Sequence, residues 1–433
     1  MIAPGVARGL YSALLYLLSP LVWWRVWREH ALTNKRAERL GLIADTADGT
    51  PTIWLHAASV GEVLAARPLI EALALRHADH RLVVTTMTAT GAERVRALFP
   101  AERYALTHYF LPLDFPGAAR RFVKRLRPRL AIIVETELWP NLLAACERQH
   151  VPVVVANARL SDKAFQGYRK VAPLLRGALG AVSWLAAKSP ADLERFTALG
   201  LAGERGDVVG SIKFDLPINA ELRDEGERLH TQWGARFVWV AGSTHEGEDE
   251  QVLAAHARLR RTHPQALLVL VPRHPQRFSA VAELCEARGE CLARRSQGET
   301  PSAETSVLLG DTMGELMRFY AAADAAFVGG SLVPIGGHNL LEPAALGVPV
   351  LTGPHLENFQ DIAETLREAQ ALCEIGDAEA LGDALATLAD DPDQRRRLGA
   401  AGEAVVAANR GALEKTLEGI AARLPADVHA QGV

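Results

Sequence analysis

From Thr52 onward, short apolar runs alternate with longer amphipathic stretches. Runs such as TIWLHAA and LAIIVET are typical of buried strands, whereas stretches such as EVLAARPLIEALALRH are typical of helices. Strands that alternate with helices predict parallel sheets with helices on both faces. Open sheets of this kind bind ligands beyond the carboxyl ends of their strands, so the polar residues after each run are the candidate site. The other predicted strands are RLVVTT, VPVVVAN, WLAAKS, DVVGS, RFVWVAGS, ALLVLVPR, SVLLGD, AAFVGG and VPVLTG.

One polar segment, residues 216–233, interrupts this rhythm, and the alternation then starts again. A chain of 433 residues is long enough for two or three domains with full cores. We therefore predict two α/β halves, joined once, with a cleft between facing strand ends. The predicted boundaries are an N-terminal segment at 1–28, a first domain at 29–215, a linker at 216–235 and a second domain at 236–433.

Charge and cysteine content exclude several classes of protein. The formal net charge of −4 excludes a globally basic nucleic-acid binder, and no nucleic-acid partner is predicted. The four cysteines form no CxxC pair, which predicts buried free thiols in a reducing compartment. They are Cys146, Cys285, Cys291 and Cys373.

The N-terminal segment is unusually apolar. No charge interrupts Gly9 to Trp24, and a helix of that length would measure roughly 24 Å, short of the ~30 Å hydrocarbon core of a bilayer. Its aromatic residues favour a membrane interface, and the cations from Arg25 to Arg39 predict that the main body is cytoplasmic. We expect membrane attachment, as a short span or an interfacial helix; the alternative is a helix packed on its own domain.

A second basic feature is the run from Arg120 to Arg129, which holds cations and no acid. Such a run is commonly a solvated helix face. The other interpretation is attraction to anionic lipid headgroups, which agrees with an apolar N-terminal segment.

Carboxylates follow two strands of the first half. Glu62 falls at the strand-to-helix turn after TIWLH, where it is either a general base or a helix-stabilising first-turn residue. Glu135 and Glu137 follow LAIIV and would point the same way if the strand continued. Lys213 ends the half and either faces a leaving phosphate or pairs with Asp215.

In the second half, four strand ends carry glycine, hydroxyl, arginine or carboxylate groups, a combination that predicts a nucleotide site. The most informative is the glycine-rich turn after AAFV, which leads into a helix start near Asn339 with backbone N–H groups available to an anion. GxGxxG and P-loop motifs are absent, and no His, Cys, Asp or Glu cluster has convincing metal spacing, so neither a cofactor nor a metal is predicted. The four segments are Gly242–Glu248, Pro272–Pro275, Asp311–Leu316 and Gly329–Pro354.

Taken in order, these motifs resemble those of the Kdo transferases of Gram-negative lipopolysaccharide synthesis. That family moves 3-deoxy-manno-octulosonic acid (Kdo) from CMP-Kdo onto a lipid A precursor. The similarity runs from about residue 50 to 360. Its motifs are HAASVGE, ETELWPN, NARLSDKAF, GSIKFD, GSTHEGE, PRHP, GDTMGEL and GGHNLLEPA.

The resemblance implies a GT-B fold with an N-terminal acceptor domain and a C-terminal donor domain. It implies an inverting transfer with Glu62 as general base, supported by Glu135 and Lys213. It also implies a lipid IVA acceptor and a location on the cytoplasmic face of the inner membrane, among its lipids. The implied CMP contacts are Pro272, Arg273, Met313, Gly314, Glu315, Asn339, Leu340, Leu341 and Glu342.

Two other classes remain open on the residues alone. One is another GT-B sugar-nucleotide enzyme, either a UDP-dependent transferase or an epimerase. The other is a non-catalytic nucleotide binder attached to a membrane.

Overall fold

The structure is a computed structural model that describes residues 3–28, 35–45, 49–100, 102–216 and 218–425, without the side chains of 25, 27 and 28. The chain forms two compact units. The first comprises Met1–Asp215 and Arg410–Val433, and the second is Leu216–Asn409.

The first unit is built on a sheet of seven parallel strands in the order β3-β2-β1-β4-β5-β6-β7. Side chains alternate between its two faces: Trp54 joins one apolar cluster, and Ile53 and Leu55 join the other. The strands are β1 (Thr52–His56), β2 (Arg81–Thr86), β3 (Leu106–Phe110), β4 (Pro128–Val134), β5 (Val153–Ala158), β6 (Trp184–Ala187) and β7 (Gly206–Val208).

The second unit repeats the plan, with seven parallel strands in the order β10-β11-β9-β8-β12-β13-β14. The strands are β8 (Val238–Thr244), β9 (Leu267–Pro272), β10 (Leu292–Arg294), β11 (Val307–Leu309), β12 (Ala325–Val328), β13 (Val350–Thr352) and β14 (Leu372–Glu374).

Helices connect the strands of both units. Those before residue 216 are α1 (Pro4–Leu17), α2 (Ser19–Arg28), α3 (Arg36–Arg39), α4 (Val60–Arg76), α5 (Ala89–Leu98), α6 (Pro116–Leu126), α7 (Pro140–Arg148), α8 (Asp162–Arg169), α9 (Ala172–Gly180) and α10 (Pro190–Leu199). Those after it are α11 (Ala220–Trp233), α12 (Asp249–Leu259), α13 (Phe278–Ala287), α14 (Leu316–Ala321), α15 (Leu341–Ala344), α16 (Gln360–Glu368), α17 (Ala378–Asp390), α18 (Pro392–Asn409) and α19 (Ala412–Ala421).

Each sheet has a switch point, where the strand order reverses and a crevice opens at the carboxyl ends. In the first unit this point lies between β1 and β4, and in the second between β8 and β12. All eleven predicted strands are present, and Glu62, Glu135 and the segments after β8, β9 and β12 follow switch-point strands or their neighbours, whereas Asp311–Leu316 follows β11 and Lys213 follows the edge strand β7.

The unit boundaries differ from the predicted domain boundaries at two places. Residues 216–235 are not a plain linker, because Asn219 caps a 14-residue helix, α11, whose Trp233 is buried in the second unit. The C-terminal helix α19 belongs to the first unit instead of the second, since the Asp215 carboxylate accepts hydrogen bonds from the N–H groups of Gly411 and Leu413 (both 2.7 Å).

The apolar N-terminal segment forms two helices, α1 and α2, that meet at Leu18. Within the described ranges, no helix is long and apolar enough to cross a membrane. α1 contacts α7 and α9 of the first unit, and Tyr16 packs on Phe115 with ring centroids 5.1 Å apart. The predictions for the side chains of Arg25, Trp27 and Arg28 lie outside the described residues.

Two further predictions are corrected in part. All four cysteines are free, but only Cys146 and Cys285 are buried, and Cys291 is exposed. The basic run is not a uniform solvated face, because Arg121 and Arg125 donate to the carbonyl oxygens of Leu40 and Ile43.

Candidate active site

Glu62 lies at the start of α4, directly after β1, at the switch point of the first sheet. Its carboxylate accepts hydrogen bonds from the Ala58 N–H (2.7 Å) and the Ser59 hydroxyl (3.0 Å), while its own N–H donates to Ser59 Oγ (3.4 Å). This is a capping arrangement, so the helix-start interpretation of Glu62 is confirmed. It does not exclude the catalytic interpretation, because each carboxylate oxygen has a second lone pair.

Electrostatics distinguish Glu62 from an ordinary capping residue. Burial, together with the charges of Glu137 and Glu135, raises the pKa of Glu62 to about 7. The hydrogen bonds from Ala58 and Ser59 act in the opposite direction, because they favour the charged form. A carboxylate with such a pKa is a suitable proton acceptor near neutral pH.

The second pair of acids does not follow the predicted strand geometry. β4 ends at Val134, and Glu135 has a left-handed backbone (φ 60°), so Glu135 and Glu137 are not alternate residues of one strand. The Glu137 carboxylate accepts the indole N–H of Trp139 (2.9 Å), and burial raises its pKa. The Glu135 carboxylate accepts no hydrogen bond within the described part of the chain.

His56, the last residue of β1, is fully buried beside these acids and was not predicted as a site residue. Its Nδ1 lies 3.1 Å from the Thr85 carbonyl oxygen, and its Nε2, without a hydrogen bond, lies 4.0 Å from Glu137 Oε2. Burial lowers the pKa of His56 to about 3, so the ring is neutral.

A buried amide next to the acids, Asn157, begins the NARLSDKAF motif but was not assigned a role from the sequence. Asn157 in β5 is 1% exposed, has a left-handed backbone (φ 53°), and neither of its amide side-chain atoms has a hydrogen-bond partner. The preceding residue, Ala156, accepts the Glu135 N–H (2.9 Å). Unsatisfied buried polar groups are costly, which is typical of a group that meets a ligand or water. The signal in the sequence was an asparagine at the end of an apolar strand.

Lys213 lies in the short turn Ile212–Phe214, which packs against α4, the helix that begins at Glu62. The Asp215 carboxylate, its predicted alternative partner, caps α19. The structure thus places Lys213 in the same unit as Glu62 and Glu135.

In the second unit, the four candidate segments follow the neighbouring strands β11, β9, β8 and β12. The sequence prediction that these strand ends form one edge is confirmed. The hub of this edge is Glu248, which is fully buried. Its carboxylate accepts four backbone N–H groups: His245 (3.0 Å), Gly330 (2.6 Å), Ser331 (2.9 Å) and Leu332 (2.8 Å).

The glycine-rich turn is folded back tightly. Gly330 has φ +68°, and a Cβ at this position would lie 2.9 Å from His338 Cδ2, so only glycine fits without a shift. His338 stacks on His245, with the two Nε2 atoms 2.8 Å apart. Burial lowers the pKa of His338 to about 4 and also lowers the pKa of His245, which favours two neutral rings, one donating to the other.

Asn339 to Glu342 lead into α15, a helix of four residues, which is shorter than predicted. Asn339 accepts the Leu341 N–H and donates to Glu342 (both 3.2 Å). The side chains of Leu340 and Leu341 are fully buried, so only their backbone is available to a ligand. Burial raises the pKa of Glu342, while the nearby Arg273 guanidinium lowers it.

The remaining predicted contacts are Arg273, at the end of β9, and Met313 to Glu315, which follow β11. Arg273 follows Pro272 at the end of β9, and its N–H donates to the Thr244 carbonyl oxygen (3.0 Å), while its guanidinium group forms no hydrogen bond in the described ranges. Met313 is 62% exposed, and Gly314 has φ +85°. The Glu315 carboxylate is already paired with Arg295 (2.7 Å), which lowers its pKa to about 2.

The only potential metal site among the described residues is His77, Asp79 and His80. It lies beyond the C-terminal end of α4, about 22 Å along the helix from Glu62. The acids around Glu62 are therefore not part of this group.

Two family models match the chain. One, described as 3-deoxy-D-manno-octulosonic-acid transferase (kdotransferase), matches residues 34–216, and the other, glycosyl transferases group 1, matches residues 238–405. The chain is 42% identical over 418 residues to the 3-deoxy-D-manno-octulosonic acid transferase of Haemophilus influenzae, covering 95% of this chain and 97% of the relative. It is 38% identical over 432 residues to the protein of the same name from Bordetella pertussis, covering 96% and 99%.

Among solved structures, the chain is similar to the C-terminal CMP-Kdo binding domain of WaaA from Acinetobacter baumannii, with 37% identity over 43% of this chain and 99% of that one (TM-score 0.42). It is also similar to UDP-GlcNAc 2-epimerase from Neisseria meningitidis bound to UDP-GlcNAc, with 14% identity over 86% and 100% (TM-score 0.54). The second likeness shows the fold alone, namely two parallel-sheet α/β domains of the GT-B-like glycosyltransferase type.

Proposed function

The chain belongs to the family of 3-deoxy-D-manno-octulosonic acid transferases and is a glycosyltransferase that transfers Kdo, and we propose that it moves Kdo from CMP-Kdo onto the lipid A precursor lipid IVA with inversion at the anomeric carbon. The observation that carries this proposal is Glu62, a buried carboxylate at a switch point whose pKa is about 7. Family membership sets aside the alternatives of a UDP-dependent enzyme and of a non-catalytic binder.

In the proposed reaction, Glu62 accepts the proton of an acceptor hydroxyl as that oxygen attacks the anomeric carbon of Kdo. The bond between this carbon and the phosphate oxygen of CMP breaks, and CMP leaves with the bonding electrons. The hydrogen bonds from Ala58 and Ser59 fix the orientation of the carboxylate, and its raised pKa makes it a stronger base than a solvated glutamate.

Charge that grows on the departing phosphate requires cationic or N–H partners. We assign this role to Lys213 and Arg273, and we keep Glu135 as a supporting charge that raises the pKa of the base. The proposed CMP contacts are the backbone and side chains at Pro272–Arg273, Met313–Glu315 and Asn339–Glu342. The free guanidinium of Arg273 and the Asn339–Glu342 pair support this assignment.

We also propose that the protein lies on the cytoplasmic face of the inner membrane. Support comes from α1, which contacts the first unit on one side and exposes an apolar stripe on the other, formed by Val6, Leu10, Leu14 and Leu17 (52–76% exposed). An exposed apolar stripe on a docked helix is typical of interfacial attachment.

The test of the proposed chemistry is Glu62→Gln, which keeps the shape of the side chain and removes its basicity. We expect turnover, measured as CMP release from CMP-Kdo with lipid acceptor, to fall about a hundred- to ten-thousand-fold while CMP affinity is unchanged. Glu71→Gln is the matched control, because Glu71 lies on the same helix and pairs only with Arg67 at the surface. Near-normal turnover of Glu62→Gln would show that Glu62 only caps the helix.

A further inference from the structure

A cavity of about 280 Å³ lies between α1, α6 and α7 of the first unit. Three arginines from three different helices line it: Arg8, Arg120 and Arg148. We call this cavity the arginine pocket. Its other lining residues are small or uncharged: Gly5, Gly9, Ser12, Pro116, Asn141, Ala144 and Ala145.

The three guanidinium groups are not bound by other residues that the structure describes. Within the ranges that the structure describes, none of them forms a hydrogen bond or an ion pair, although Arg121 and Arg125 on the same helix α6 donate to backbone carbonyl groups. No carboxylate lines the pocket. Like charges gathered around one cavity repel each other, and a bound anion removes this repulsion.

Asp114, which holds the pocket-lining residue Asn141, already has hydrogen-bond donors of its own. The Asp114 carboxylate is buried and accepts the N–H groups of Asn141 (3.0 Å) and Leu142 (2.8 Å) and the hydroxyl group of Tyr11. Arg8 acts on Asp114 only through its charge. Burial raises the pKa of Asp114 to about 7, so part of its negative charge is lost at neutral pH.

The chemistry of the pocket matches a phosphate group. A guanidinium presents paired N–H donors that fit two phosphate oxygens, and three residues that carry this group line the pocket together with Ser12. The Ser12 hydroxyl contacts Asn141 Oδ1 (3.2 Å), which also joins α1 to α7.

The position of the pocket identifies the source of the phosphate. Gly5, Arg8 and Ser12 lie on the face of α1 turned toward α7, whereas the apolar stripe from Val6 to Leu17 lies on the opposite, exposed face. A helix attached by that stripe lies at the boundary between acyl chains and headgroups, and cations that flank it are at headgroup level.

We propose that the arginine pocket binds the phosphate of an anionic membrane phospholipid and so fixes α1 between the bilayer and the first unit. The inference rests on the proposed membrane location. We assign the phosphate to a surrounding lipid, because the pocket is lined by α1, whose opposite face carries the exposed apolar stripe.

The experiment is flotation of the full-length protein with vesicles of phosphatidylcholine, with and without phosphatidylglycerol, and no acceptor. We expect Arg120→Gln to lower the vesicle partition coefficient at least about tenfold, as for a lost charge-assisted hydrogen bond. Lys124→Gln is the matched control, because Lys124 is exposed one turn further along α6 and does not line the pocket. Loss of one general surface cation costs about fivefold. Arg120→Lys, which keeps the charge but not the paired donors, should bind more weakly than the unaltered protein and less weakly than Arg120→Gln.

The outcomes separate the two proposals. If the unaltered protein binds no vesicles, the proposed membrane location is wrong. If it binds phosphatidylglycerol vesicles, but Arg120→Gln and Lys124→Gln lose affinity equally, or Arg120→Lys binds normally, the attraction is diffuse and the pocket is refuted. If the arginine variants keep vesicle binding and instead raise the KM for the detergent-dispersed acceptor, the phosphate belongs to the acceptor, which overturns the assignment to a phospholipid.

Discussion

The Glu62 carboxylate receives two hydrogen bonds that favour its charged form, and it is buried next to two other acids that disfavour this form. Burial and the neighbouring acids outweigh the two hydrogen bonds, so the pKa of Glu62 is about 7. The base must be deprotonated to act, so kcat/KM should rise with pH and level off above an apparent pKa near 7.

Glu137→Gln tests whether the neighbouring acids set that pKa. Removing the Glu137 charge removes the larger of the two electrostatic contributions that raise the pKa of Glu62, so the rising limb should move to lower pH. The measurement is kcat/KM between pH 5 and 9, with Glu71→Gln as the variant expected to leave the limb in place. A limb that does not move in Glu137→Gln would show that the Glu137 charge does not raise the pKa of Glu62.

Glu342 provides a second prediction at the scale of single residues. It holds Asn339 by a hydrogen bond (3.2 Å) near the free guanidinium of Arg273, and we assign it to the ribose hydroxyl groups of CMP. Glu342→Ala should weaken CMP binding on the order of tenfold, as expected for a lost hydrogen bond to a charged group. The loss should be equal with magnesium and after chelation, as measured by calorimetry.

The control for this substitution is Glu357→Ala, since Glu357 is an exposed acid of the same unit. CMP binding that disappears on chelation and returns with a divalent ion would make Glu342 a candidate metal ligand and would contradict the metal-free proposal.

At the scale of elements, the loop after β12 is held in its conformation by the side chain of Glu248, which lies outside the loop. Glu248, at the start of α12, accepts three consecutive N–H groups of this loop, Gly330 to Leu332. In Glu248→Gln, one acceptor oxygen becomes an NH₂ donor that faces N–H groups. We expect faster amide hydrogen exchange at these three residues and weaker CMP binding, with β8 and β9 still protected.

Glu250→Gln serves as the control, because Glu250 is exposed two residues later in the chain. Unchanged exchange in Glu248→Gln would mean that the glycine conformations alone hold the loop.

Ten of the eleven strands that the sequence predicted are largely buried, and their apolar runs are continuous; the exception is β7, an edge strand that is mostly exposed. The three that it missed, β3, β10 and β14, are at or beside sheet edges and are partly exposed, as in the half-buried LTHYF of β3. An edge strand packs on fewer neighbours and therefore needs fewer apolar residues.

Helix α11 was missed for a related reason. Its core-facing positions, the buried Gly226 and Trp233 and the partly buried Leu222 and Leu229, recur at helical spacing, but nine of its 14 residues are polar. Gly226 does not contribute to a hydrophobic pattern because it has no side chain. It is nevertheless buried, and a Cβ at this position would lie 2.5 Å from Ala321.

The candidate site was predictable as far as its strand ends, since polar residues after buried strands mark the carboxyl edge. The contacts of Glu248 and the unpartnered amide of Asn157 were not, because they depend on backbone conformations that residues far apart in sequence impose on each other. For the same reason, the sequence did not predict that α19 belongs to the first unit. This placement depends on the hydrogen bonds to Asp215 and on the packing of Gly419 against Trp184.

At the scale of the whole molecule, the unit boundaries predict which fragment folds. A fragment of residues 216–409 contains the complete second unit, including α11, whose Trp233 packs near Phe319 with ring centroids 6.5 Å apart. A fragment of residues 236–433, the boundary expected from the sequence, lacks α11 and carries α19 without its partners in the first unit. In that fragment Leu417 and Ile420, which are buried in the full chain, become exposed.

Loss of the Trp233 contacts alone corresponds to about 3–5 kcal/mol of unfolding free energy. We therefore expect 216–409 to unfold cooperatively in urea and to bind CMP, and 236–433 to be less stable by at least about 3 kcal/mol and prone to aggregate. Equal unfolding free energies for the two fragments would show that α11 does not stabilise the second unit and acts only as a linker.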